Sequence, residues 1–302
     1  MTKNAFSILL LCGLTALVFS CTEKVDPDPN QNPSANSFLK SLEVSVSNYT
    51  ANSSLPDNSI LSFIYSPSNR FGYYIDSRNF LLTNGSIQSD RKLLFTFSAT
   101  DNISKKSNGI VYFPYNSNLN TNAIILDYHN QRQVGNNSYA HITEKDYCIS
   151  EMTIGDGEQK YSTLFHVGCI LVISVKLPSN TNFNRLVISS DASVFPVQLN
   201  CDLSSLAYTS IDIEDNLNLG LSDICGQIGS DVIFTMTCFP FDGENHRMIL
   251  SLLDDNNHMF STDIRPIKTT AGQVYYIIAD QLEESYDFGD VTIPSFDNYD
   301  WK

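Results

Sequence analysis

Met248-Ile249-Leu250-Ser251-Leu252-Leu253 leads into Asp254-Asp255-Asn256-Asn257, and Met259-Phe260-Ser261-Thr262-Asp263-Ile264 leads back. Two apolar segments of strand length on either side of a cluster of turn formers predict a β-hairpin. The same habit extends in both directions. Leu42-Glu43-Val44-Ser45-Val46-Ser47 and Leu93-Leu94-Phe95-Thr96-Phe97-Ser98-Ala99 alternate with the period of a half-buried strand. Ile170-Leu171-Val172-Ile173-Ser174-Val175-Lys176-Leu177 reads as a mostly buried strand, and residues 233–239 and 272–278 continue the series. Asn, Ser, Thr, Tyr, Phe, Ile and Val dominate, a palette that favours strands. No long amphipathic helix is legible; a short one is expected near residues 200–206. The fold class expected is all-β, built as antiparallel β-sandwiches. Strand-like runs fall into two groups, at 42–127 and 161–279, separated by the polar, turn-rich stretch 131–157. This predicts two tandem domains, 38–150 and 151–302.

The beginning of the chain carries a different message. Lys3 supplies a positive start, residues 5–19 are uncharged and apolar, and Val18-Phe19-Ser20-Cys21 follows. The apolar run is shorter than the roughly 20 residues that a bilayer core demands, so it reads as a leader, 1–20, rather than as a span. Its end resembles a bacterial lipobox, in which cleavage precedes the cysteine and the thiol receives the lipid. Cys21 is the expected lipidation site. Residues 21–37 are rich in Pro, Asn and acids and lack large apolar groups, the composition of an extended tether. Acids just after the lipidated cysteine resemble the surface-export signal of Bacteroidetes lipoproteins. The location expected is the outer membrane, anchored by lipid and exposed at the cell surface.

The formal net charge of −15 over 302 residues argues against nucleic acid as a partner, since phosphates demand a basic surface. It equally disfavours docking on anionic lipid, so the acyl group must do the anchoring. Beyond Cys12 and Cys21 there are five cysteines, Cys148, Cys169, Cys201, Cys225 and Cys238. An odd number cannot all pair internally, and none has the close spacing of a zinc ribbon. Cys169 and Cys238 lie in apolar runs and read as buried small hydrophobes. A disulfide is compatible with export, but its partners are open.

No catalytic motif is present: neither Gly-x-Ser-x-Gly nor Gly-x-x-x-x-Gly-Lys occurs. His166 sits in an apolar strand and reads as a core histidine with a satisfied hydrogen bond. His129, His141, His246 and His258 are scattered among turns without metal spacing. Asp254-Asp255-Asn256-Asn257 lacks the closing Glu of a calcium loop and reads as a turn, as does the acidic stretch 212–216. Tyr73-Tyr74 and Tyr275-Tyr276 could offer sugar platforms, but the alternation of core-facing and water-facing strand residues accounts for them. No enzyme activity, no cofactor and no metal is expected.

Several pieces, in order, resemble the fimbrillin-like family of Bacteroidetes surface lipoproteins. They are Val111-Tyr112-Phe113-Pro114-Tyr115, Gln131 after a short loop, Asp146-Tyr147-Cys148-Ile149, Leu164-Phe165-His166, Phe239-Pro240, Gly272 with Tyr275, and the near-terminal Trp301. The resemblance implies two transthyretin-like β-sandwich domains and a fimbrial subunit as stalk, tip or anchor, with other fimbrial subunits as partners. It also implies assembly by strand donation, opened when a protease removes an N-terminal strand. Arg70, in the turn-like Ser66-Pro67-Ser68-Asn69-Arg70, is the candidate cleavage site; Lys40 is the lesser one. A host or glycan ligand is left open. The rival reading is a surface glycan-binding lipoprotein of a polysaccharide capture system. The single Trp favours the fimbrial reading, because sugar platforms usually use several aromatic residues.

Overall fold

The computed structural model describes residues 38–51, 68–89, 92–98, 101, 103–104, 108–119, 122–152 and 159–285. The leader 1–20, Cys21, the tether 21–37, a strand expected at 60–66 and Trp301 lie outside the described residues. The strands are β1 (Ser41–Val46), β2 (Thr50–Ala51), β3 (Gly72–Ile75), β4 (Arg78–Leu81), β5 (Gly85–Ser89), β6 (Lys92–Thr96) and β7 (Gly109–Phe113). There follow β8 (Ala123–Asp127), β9 (Gln131–Val134), β10 (Cys148–Glu151), β11 (Gln159–His166), β12 (Cys169–Lys176), β13 (Phe183–Ser190) and β14 (Phe195–Asp202). The last are β15 (Ala207–Glu214), β16 (Asn216–Ile224), β17 (Asp231–Cys238), β18 (Met248–Asp254), β19 (Met259–Ile264), β20 (Gln273–Ala279) and β21 (Glu283–Ser285). A 3-10 turn, Ala140–Glu144, lies between β9 and β10. Among the described residues no helix is long and apolar enough to cross a membrane.

The largest sheet runs β4-β3-β7-β10-β11-β1-β6-β5, a second β17-β12-β20-β2, a third β21-β19-β18-β13-β16-β9, and a ribbon β15-β14-β8. Side chains from both halves of the large sheet meet in one core: Leu42 and Val44 of β1, Phe95 of β6 and Leu164 of β11 face Tyr73 of β3 and Val111 of β7. The sheet therefore curls so that its halves form the two walls of that core. A second core lies between the second and third sheets, where Leu171, Ile173, Phe234 and Met236 pack on Leu186, Ile188, Leu219 and Leu250. This is a two-layer sandwich, each strand sending alternate residues inward. Ile170 and Val274 point the other way, into the first core, so the second sheet serves both cores.

The hairpin β18–β19 forms as expected, in antiparallel register from Met248↔Ile264 to Leu253↔Met259. Asp254 N–H donates to the His258 carbonyl (3.0 Å), and Asn257 adopts φ +63°, the left-handed step that a three-residue hairpin loop requires. The buried Asp254 carboxylate accepts from the N–H groups of Asn256 and His258, both at 2.8 Å, and from the Thr181 hydroxyl at 3.2 Å. Burial alone would raise this carboxyl, but those donors outweigh it and hold it below the usual range.

The helix expected near 200–206 is absent. β14 continues to Asp202, whose carboxylate accepts from Ser204 N–H (2.7 Å) and the Ser205 hydroxyl (3.0 Å). Leu206 closes the turn at φ +54°. Local side-chain bonds to the backbone compete with a helix and win here.

Beyond the expected boundary near residue 150, β11 still belongs to the large sheet, and the chain passes to the second sheet at Val167-Gly168. Gly168 permits the passage: a Cβ there would lie 2.2 Å from the Tyr128 hydroxyl oxygen and 2.9 Å from the Cys238 carbonyl oxygen.

The outer edge of β17 is closed by side chains. Gln131 accepts from Thr237 N–H (2.8 Å) and donates to the Thr237 carbonyl (2.7 Å). Gln133 accepts from Thr235 N–H and donates to the Ile233 carbonyl, both at 3.0 Å. Asn137 accepts from Ile233 N–H (2.7 Å), and His141 Nε2 donates to the Thr235 carbonyl (2.8 Å). Meanwhile the β9 backbone pairs in parallel with β16 of the third sheet. β9 thus stitches two sheets together, one through its main chain and one through its amides.

Two outcomes follow. Gln131→Leu strands a buried N–H and C=O of Thr237 and lowers stability by about 2 kcal/mol or more, read by urea denaturation. Asp254→Asn costs about 1–2 kcal/mol at pH 7. Because the folded carboxyl lies below its unfolded value, its stabilisation is complete above that value and lost as pH falls through the folded one. The gap between variant and parent therefore narrows below about pH 4.

Candidate strand-exchange site

Leu42, Val44 and Val46 alternate with Ser41, Glu43 and Ser45, so β1 buries one face and leaves the other half-covered. β1 pairs in parallel with β11, Ser41↔Gln159 through Val46↔Leu164, and antiparallel with β6, Ser41↔Thr96 through Ser45↔Lys92. It is an interior strand with ladders on both sides. Leu39 N–H donates to the Ile103 carbonyl and Phe97 N–H to the Lys40 carbonyl, both at 2.8 Å, and Ser47 N–H to the Leu164 carbonyl at 2.9 Å. On the outer face Lys92 meets Glu43 at 3.0 Å.

Just past β1 the chain is held by a buried polar cluster. The Tyr49 hydroxyl donates to Asp146 Oδ1 (2.7 Å), and the Tyr49 ring stacks on His166 with centroids 3.7 Å apart. His166 Nδ1 faces Asp146 Oδ1 at 2.8 Å, and Nε2 faces the Ser47 carbonyl at 2.8 Å. Nε2 donates to the Ser47 carbonyl and Nδ1 shares a hydrogen bond with the Asp146 carboxyl, so both ring nitrogens are engaged. Asp146 is fully buried and His166 nearly so. Burial, with the nearby Asp146 charge, pushes the Tyr49 hydroxyl well above its ordinary pKa, so it stays a donor. The cluster acts as a latch on the exit from β1. It joins Asp146 and His166, two of the positions at which the sequence resembles the fimbrillin-like pattern.

Asp146, Cys148 and His166 offer oxygen, sulfur and nitrogen atoms within 4.8 Å of one another, a donor set that suits a zinc-class ion. Nδ1, however, is the nitrogen facing both Cys148 and Asp146, and its hydrogen bond to Asp146 already uses it. A second group was invisible to spacing: His129 lies 3.2 Å from Glu214 and 3.7 Å from Asp212, joined across the ribbon. The hydrogen bond from its Nδ1 to Asp127 (2.7 Å) leads the influences that raise the His129 pKa; burial opposes it.

Arg70 is exposed, but it is not in a free turn. Its carbonyl accepts from Tyr115 N–H (2.8 Å), its guanidinium lies 5.3 Å from the Tyr115 ring centre, and the next residue, Phe71, is buried. Tyr73, Tyr74 and Tyr275 are buried, so they are core residues rather than sugar platforms. His166 is the core histidine expected.

No family model matches the chain, and no curated protein matches it. Solved structures do. A candidate cell adhesion protein of Bacteroides ovatus is 12% identical at a TM-score of 0.51, over 82% of this chain and 96% of that one. The fold is shared. A candidate cell adhesion protein of Bacteroides uniformis is 13% identical (TM-score 0.49, 82% and 95% covered), and a fimbrial protein of Bacteroides ovatus is 11% identical (TM-score 0.39, 81% and 49% covered). The first of these agrees with the all-β fold class read in the sequence.

The latch yields a graded expectation. His166→Ala empties a buried ring position and leaves the Asp146 carboxyl and the Ser47 carbonyl without their partner, and costs about 3–5 kcal/mol. Tyr49→Phe, which keeps the stacked ring and loses one buried hydrogen bond, costs about 1–3 kcal/mol. Chemical denaturation of the two variants checks the order; equal losses would contradict the central place of His166 in the latch.

Proposed function

We propose that this chain is a lipid-anchored cell-surface subunit, fimbrial or adhesin-type, that assembles by β-strand exchange and performs no catalysis. The observation that carries the reading is the interior position of β1 between β11 and β6. Withdrawing an edge strand leaves one open ladder. Withdrawing β1 leaves two, together with a slot that had held Leu42, Val44 and Val46, and a donor strand of matching alternation fills both needs. Each apolar side chain returned to the slot contributes roughly 1.5–3 kcal/mol. Strand exchange thus offers a neighbour both register and affinity without a separate binding pocket.

Cys21 precedes β1, so the lipid and the exchangeable strand travel together. Cleavage at Arg70 would detach both and yield a stalk-type subunit; retention yields an anchor or an accessory subunit. The hydrogen bond and stacking of Arg70 on Tyr115 mean that a trypsin-like protease needs local opening before it can seat the bond. An adhesin or fimbrial role is supported by the kind of proteins that share the fold. The glycan-binding rival loses three of its four nominated tyrosines, Tyr73, Tyr74 and Tyr275, to the core, and Tyr276 is half-buried.

Limited trypsin treatment of the full chain tests this. Heat-sensitive oligomer ladders on gels are expected from the parent and not from Arg70→Ala, with a labelled peptide of residues 38–51 entering the cleaved chain. Cleavage at Arg70 with no peptide uptake and no oligomers would remove strand exchange. Acyl labelling lost in Cys21→Ala checks the anchor. Retardation by a polysaccharide panel would instead favour the rival.

A further inference from the structure

Cys169 opens β12 and Cys238 closes β17, and the antiparallel register sets them directly opposite each other. Opposed residues in such a pair have Cα atoms about 4.5 or 5.5 Å apart, and both spacings fall within the roughly 4.4–6.8 Å that a disulfide spans. The two sulfurs are 3.2 Å apart, and both residues are buried in the second core. A bond length of about 2.05 Å is reached by side-chain movement alone. The remaining described thiols are placed otherwise: Cys148 faces His166, Cys201 lies in the ribbon cluster, and Cys225 is exposed.

We propose that Cys169 and Cys238 form a disulfide when the chain folds in an oxidising compartment. The oxidant is a disulfide of the surroundings, small-molecule or protein. One thiolate attacks it and expels a thiol; the second thiolate attacks the mixed disulfide and expels the other. The two cysteines lose two hydrogens as protons and electrons, and the external disulfide becomes two thiols. Timing is set by burial. Desolvation in the core, with the neighbouring Cys169, pushes the Cys238 thiol far above its ordinary pKa, and a buried thiol is inert. The bond therefore forms before the second core closes, and once formed it is shielded from reduction. It staples the two strands that carry one wall of that core, a use typical of proteins outside the cytosol. The oxidising setting rests on the surface location proposed above; the pairing rests on the geometry alone.

The full chain is refolded from denaturant with oxidised and reduced glutathione, alkylated, digested without reductant, and mapped by mass spectrometry. A peptide linking Cys169 to Cys238 is expected. When glutathione is added only after the reduced chain has folded, linkage is slowed at least tenfold. Dithiothreitol during unfolding lowers the melting temperature of the linked chain by several degrees and leaves the Cys169→Ala/Cys238→Ala variant unmoved. Alkylation of both cysteines after oxidative refolding, or linkage of Cys238 to Cys148 or Cys201, overturns the proposal. Linkage on refolding but not in protein recovered from cell envelopes counts against the surface location and not against the pairing.

Discussion

The pairing of β1 with β11 is the interaction on which the rest of the large sheet depends. Without it the sheet divides, β4-β3-β7-β10-β11 on one side and β1-β6-β5 on the other. The first core needs both parts, since Phe95 of β6 and Val111 of β7 belong to the same cluster. β1 is therefore the hinge through which one curled sheet becomes two facing walls. The latch of Tyr49, Asp146 and His166 sits at the end of this hinge, and the buried hydrogen bonds inside it make its loss costly. Structure and proposed function meet at the same place: the strand that completes the core is the strand an assembly reaction would replace.

Edges are the second constraint. A sheet margin with free N–H and C=O groups invites unwanted pairing. At β17 the margin is met by Gln131, Gln133, Asn137 and His141, which together satisfy main-chain groups of Ile233, Thr235 and Thr237. β15, by contrast, lies at the margin of its ribbon and is exposed along nearly its whole length.

What could be read in advance follows from this. Strands facing a core advertise themselves by alternation, and residues 42–47, 93–97 and the 248–264 hairpin were legible. β9 was not, because its buried positions are Gln131 and Gln133; they face a hydrogen-bonding edge, so no apolar alternation marks them. β16 was hidden by its spacers. Leu217, Leu219 and Leu221 alternate, but Asn216, Asn218 and Gly220 between them read as turn formers. At the site, Asp146 and His166 could be picked out only through a family resemblance. Tyr49 and the parallel register of β1 could not, since periodicity tells which face of a strand is buried and not which strand lies beside it.

The distance along the chain between β1 and its parallel partner has a kinetic side. Ser45 and Thr163, side by side on adjacent strands, are 118 residues apart in sequence. Closing so long a loop is slow, and proteins dominated by such separations fold late. Residues 41–46 are made before residues 159–166 and wait for them before their second ladder can form. During that wait an apolar strand and its vacant place coexist on the same molecule and on every neighbour folding nearby. Under the strand-exchange reading proposed above, self-completion and completion by another copy would then compete, with local chain concentration setting which finishes first.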